Sequence, residues 1–67
     1  MKIFAERLKE LRIEEGLSTR ELAKRIGVSN MAISRWERDE RTPNLEVVVE
    51  IAKYFKVSTD YLCGLED

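Results

Sequence analysis

The chain has 67 residues, enough for one hydrophobic core, and residues 1–67 are expected to form a single domain. Its 43% hydrophobic and 37% charged content suits a small unit with a well-solvated surface, while a net charge of −1 sets it apart from strongly basic nucleic-acid binders. With one cysteine, Cys63, and no histidine, it can form neither an internal disulfide nor an imidazole-based active site, and a zinc centre is not expected.

Residues 2–15 read as a first helix, because Phe4, Leu8 and Leu11 recur at i, i+4 and i+7 on the face that also carries Glu15. Glu6, Arg7, Lys9 and Glu10 are expected to be its solvated side. Arg12 follows a core position and borders the apolar stripe. Gly16 then ends the helix, since glycine accepts the left-handed conformation that closes a helix C-terminus.

A second helix opens at once. Ser18 and Glu21 have the S-x-x-E spacing of a capping box, and Leu17 and Leu22 have that of a hydrophobic staple. Leu22, Ala23 and Ile26 supply its inner face, and Gly27 stops it after about two turns. Val28 and Ser29 then start a third helix, with Ser29 as N-cap and Val28 set to staple against Ile33. Two short helices around a tight turn, with small Ala23 at the approach, make a helix-turn-helix over about 19–38.

The third helix divides into two arcs at about 100° per residue. Ala32, Ile33 and Trp36 form the apolar arc, and Trp36 is expected near the core centre. Asn30, Met31, Ser34 and Arg35, with Arg38 one turn on, form the other. That arc offers amide, thioether, hydroxyl and guanidinium groups, a set able to bond to and pack against base edges.

Pro43 bars the helix from continuing, and Asn44 is the expected N-cap of a fourth helix over 45–55. Val47, Val48 and Val49 favour a strand by propensity, but Leu45, Val48, Ala52 and Phe55 recur with helical spacing, widened by Val47, Ile51 and Tyr54. A lone strand would have nothing to pair with, so a helix is expected. Val57, Ser58 and Leu62 repeat the apolar, N-cap and apolar pattern and open a fifth helix ending near Gly64. Leu65, Glu66 and Asp67 are expected to fray. The fold class is therefore all-α, with five short helices and no repeats.

The segments Leu17-Ser18-Thr19-Arg20-Glu21-Leu22-Ala23, Ile26-Gly27-Val28-Ser29, Ile33-Ser34-Arg35-Trp36-Glu37, Arg41-Thr42-Pro43 and Val57-Ser58-Thr59-Asp60-Tyr61-Leu62 closely resemble the Cro/cI-type, or XRE-type, helix-turn-helix family of phage repressors and bacterial regulators. The resemblance covers almost the whole chain and implies a compact five-helix, lambda-repressor-like DNA-binding domain whose third helix enters the major groove. By position it assigns base reading to Asn30, Met31, Ser34 and Arg35, with Met31 placed to pack against a thymine methyl. It assigns phosphate contacts to Thr19, Arg20, Ser29, Arg38, Arg41 and Asn44. Thr19 stands where the family commonly has a longer glutamine. Asp39 and Glu40 stand where it often has a glycine and a basic residue, and their carboxylates weaken the attraction for phosphate. Arg12 and Glu37 match a pair that the family buries between the first and third helices.

Charge is unevenly spread: residues 20–41 carry six basic and four acidic side chains, against six basic and nine acidic elsewhere. The expected function is a sequence-specific double-stranded DNA-binding regulator, most simply a repressor, acting as a weak homodimer completed on an inverted-repeat operator. The alternative is a protein-interaction module, an antitoxin or adaptor, built on the same helices. An enzyme is not expected: Glu14-Glu15 and Glu66-Asp67 read as solvated ends, and Cys63 has no histidine base. No cofactor, metal or small-molecule ligand is expected within this chain. With no secretory signal and no apolar run near 18 residues, a cytoplasmic setting away from the membrane is expected.

Overall fold

The computed structural model describes residues 2–66, which form five helices and no strand. They are α1 (Lys2–Glu14), α2 (Thr19–Ile26), α3 (Asn30–Glu37), α4 (Leu45–Phe55) and α5 (Thr59–Cys63). The valine run at 47–49 is helical, as its spacing requires. The first helix ends one residue earlier than its pattern suggests, with Glu15 already in the turn.

Starts and stops follow from local hydrogen bonding. Ser18, Ser29, Asn44 and Ser58 are extended N-cap residues, and each side-chain oxygen accepts a backbone N–H three residues on. At the start of α2 the capping box is complete, since Glu21 also accepts from the Ser18 N–H at 2.9 Å. All five helices finish alike. A left-handed residue (Gly16, Gly27, Asp39, Lys56 or Gly64) is followed by an N–H that reaches the carbonyl five residues back. Gly27, at φ 75°, turns the chain from α2 directly into α3, and at Gly64, at φ 82°, an added Cβ would also come within 3.0 Å of the Ile3 side chain.

One core joins all five helices. Phe4, Leu8, Leu22, Ile33, Ile51 and Leu62 are fully buried, with Ala5, Leu17, Ala23, Trp36, Val48 and Ala52 around them. Trp36 belongs to this core as expected, 8% exposed where Ile33 is 0%. Leu45 departs from its expected place in the apolar stripe: it is 73% exposed. At the first position of α4, no neighbouring element reaches over it.

Two polar clamps tie distant helices. Arg7 is not merely part of a solvated face: its guanidinium lies 4.3 Å from the Tyr61 ring centroid and donates to the carbonyls of Tyr61 and Glu66. Leu65 and Glu66 are thus held rather than frayed, with further bonds from Leu65 N–H to the Asp60 carbonyl and from Ser58 to Glu66. Asp67 falls outside the described residues. Arg25 Nη1 on α2 donates to Tyr54 Oη on α4 at 2.8 Å.

Candidate nucleic-acid interface

Three attachments hold α3. Ile33 is fully buried beneath it, a contribution of roughly 1.5–3 kcal/mol for one aliphatic side chain. Glu37, its last residue, receives Arg12 Nε at 2.7 Å and Nη2 at 2.9 Å, while Arg12 Nη1 donates to the Leu17 carbonyl at 2.8 Å. These side chains are 14% and 7% exposed, so each charge relies on the other for its lost hydration. The hydrogen bonds that Arg12 donates to Glu37 raise its pKa above the ordinary value. The third attachment joins the first residues of the two limbs, as Thr19 Oγ1 donates to Asn30 Oδ1 at 2.6 Å.

Set this way, α3 turns Asn30, Met31, Ser34 and Arg35 away from Ile33 and Trp36. Met31 is 61% exposed and Arg35 is exposed, while Asn30 and Ser34 are half-buried against the shoulders of the helix. Asn30 and Ser34 form one i, i+4 row, Met31 and Arg35 the next. A guanidinium, an amide, a hydroxyl and an apolar thioether thus stand on one protruding surface of a helix narrow enough for the major groove.

The six phosphate candidates divide by what their side chains already do. Ser29 Oγ accepts from Ala32 N–H and Asn44 Oδ1 from Val47 N–H, which leaves a hydroxyl proton and an amide NH2 to donate outward. Thr19 gives its hydroxyl proton to Asn30, so its anion-binding capacity is the backbone N–H in the first turn of α2. Arg20 and Arg41 are exposed. Arg38 is exposed too, but Glu40 Oε2 sits 3.0 Å from its Nε. An open groove of about 340 Å³ runs beside Asn30, lined by Arg20, Glu21, Ala23, Lys24 and Val28.

Reading the sequence alone misses the Thr19–Asn30 bond and the seat of Glu40 on Arg38. The first links residues eleven apart in the chain. The second depends on how the chain leaves α3, although its signal, opposite charges two residues apart around a left-handed aspartate, is visible in the sequence. Among the described residues no helix is long and apolar enough to cross a membrane.

The sequence profile of a helix-turn-helix family matches residues 8–62. The chain is 36% identical over 64 residues to the HTH-type transcriptional regulator ImmR of Bacillus subtilis, covering 96% of this chain and 50% of ImmR. It is 39% identical over 64 residues to the HTH-type transcriptional activator BcrR of Enterococcus faecalis, covering 96% of this chain and 31% of BcrR. The chain therefore spans half or less of these relatives. Among solved structures, the P22 c2 repressor in complex with a synthetic operator superimposes with a TM-score of 0.85 at 39% identity, over 92% of this chain and 94% of that one. These relatives are DNA-binding transcriptional regulators, not enzymes. An all-α domain with this turn between α2 and α3, a matching profile over most of its length and repressor domains as structural neighbours belongs to the Cro/cI-type helix-turn-helix family of transcriptional regulators.

Proposed function

We propose that this chain is a sequence-specific double-stranded DNA-binding regulator, most simply a repressor, that lays α3 in the major groove. The observation that carries this reading is the outward arc of Asn30, Met31, Ser34 and Arg35 on a helix held at its start, middle and end. Arg35 is long enough for a bidentate bond to guanine, Asn30 and Ser34 offer shorter polar contacts, and Met31 suits a thymine methyl. Around this arc, Arg20, Ser29, Arg38, Arg41, Asn44 and the first turn of α2 flank the helix as phosphate contacts, setting its orientation without reading sequence. The operator-bound state of the P22 c2 repressor supports the same docking here.

We further infer a cytoplasmic protein that binds as a weak homodimer on an inverted repeat, two copies of α3 reaching one face of the duplex about 34 Å apart. Selection from a random duplex pool, followed by mobility-shift titration, tests both parts. One enriched palindrome bound by two copies is expected. A pool that shows no enrichment would instead favour a protein-interaction module, for which Met31, 61% exposed on α3, would be the anchor.

A further inference from the structure

Glu40 occupies Arg38 at the place where a phosphate is expected, and the turn that ends α3 puts it there. Arg38 is the C-cap, Asp39 takes φ 60°, and Glu40 N–H closes the turn on the Arg35 carbonyl at 2.9 Å. With its backbone held by that bond, the Glu40 side chain returns over the C-cap and sets Oε2 3.0 Å from Arg38 Nε, with Oε1 3.4 Å from Nη2. The two contacts copy the two-point grip of guanidinium on a phosphate. Both side chains remain more than half exposed, at 62% and 53%, so an incoming anion has access to the arginine and the carboxylate has room to leave.

We propose that Glu40 is a built-in competitor for DNA phosphate on Arg38, displaced when the duplex docks, and that it weakens binding to all sequences equally. This rests on the reading of α3 as the groove-binding helix. The effect is physically small, because exposed ion pairs contribute little. It falls on a sequence-independent contact, however, so it lowers background binding while leaving base discrimination intact. A chain with net charge −1 and a weak non-specific component would spend less time on unrelated DNA.

The test is a double-mutant cycle using wild type, Glu40→Gln, Arg38→Ala and the double variant, titrated against a selected operator duplex and an unrelated duplex at several salt concentrations. Circular dichroism melts confirm that the exposed substitutions leave the fold intact. Glu40→Gln is expected to tighten both duplexes about two- to fivefold, the scale of one exposed pair, and to lose that gain when Arg38 is alanine. Unchanged affinity on Glu40→Gln overturns the proposal. So does an equal gain with and without Arg38, which would mean repulsion through space rather than displacement. If wild type binds neither duplex, the functional reading itself falls, and this proposal with it.

Discussion

Thr19 and Asn30, the first residues of α2 and α3, are joined side chain to side chain by a 2.6 Å hydrogen bond. The bond spends the threonine proton on the asparagine Oδ1 and keeps the amide Nδ2 in the role of donor. On the proposed reading of α3, this makes Thr19 the residue that would position Asn30. Thr19→Val keeps the shape and removes the donor. It should weaken operator binding by about 0.5–1.5 kcal/mol, the net value of one such bond, with the loss concentrated at the base pair facing Asn30. Thr19→Ser should restore most of it. Equal losses on operator and unrelated duplex would assign Thr19 to phosphate instead.

The Arg12–Glu37 pair predicts a stability defect distant from any base. Arg12→Met leaves Glu37 charged and largely enclosed and also deprives the Leu17 carbonyl of its partner. A loss of about 3 kcal/mol is expected, most of the stability of so small a domain. Adding Glu37→Leu should recover part of it. Urea midpoints of the two single variants and the double variant measure the coupling, and simple additivity would show that there is none.

Arg35 and Arg41 should fail in different ways. Arg35 stands on the outward arc of α3, so Arg35→Ala should cost about 1–3 kcal/mol at one base pair per half-site and relax preference there. Arg41 lies in the loop beyond α3, so Arg41→Ala should weaken every duplex alike and flatten the dependence of log K on log salt by about 0.9. Titrations against the operator and its single-base variants separate the two.

Lys56 closes α4 with a φ of 58°, a left-handed conformation that costs a residue with a Cβ about 1–2 kcal/mol. Lys56→Gly removes that strain but adds freedom to the unfolded chain, for a net gain of about 0.5–1 kcal/mol. In a domain of this size the melting temperature should rise by roughly 2–8 °C. A fall on calorimetry would mean that the lysine side chain contributes more than its backbone strain costs.

The α2 cap should respond to acid. Hydrogen bonds from the Ser18 backbone and side chain hold the Glu21 pKa below the ordinary glutamate value. A carboxylate with a lowered folded-state pKa stabilises fully above its unfolded value, and that contribution is lost as pH falls through the folded one. Protection of the Ser18 amide, taken relative to its intrinsic exchange rate, should therefore fall below the ordinary glutamate range, and Glu21→Gln should remove most of that pH dependence while keeping part of the cap.

Helix limits were legible because the forces that set them act over three to five residues. Ser18 with Glu21, the caps at Ser29, Asn44 and Ser58, and the stops at Gly16, Gly27 and Gly64 depend on close neighbours in the chain, which the sequence displays directly. The outward arc of α3 was legible for the same reason, since 3.6 residues per turn sort Asn30, Met31, Ser34 and Arg35 from Ile33 and Trp36 without any knowledge of neighbouring helices.

What lies over each stripe was decided only by packing. Periodicity marks Leu45 as equal to Val48, yet α4 presents the first to solvent and the second to the core, because only part of its length is covered. Arg7 looks like any surface cation until α5 folds back and brings a ring and two carbonyls from residues 54 and 59 positions away. Thr19 and Asn30 meet only once Gly27 has turned α3 across α2. The sequence by itself determined where helices begin, end and turn their polar faces. Tertiary structure decided which polar groups find one another, because a hydrogen bond or ion pair across helices depends on ångström distances that chain spacing does not encode.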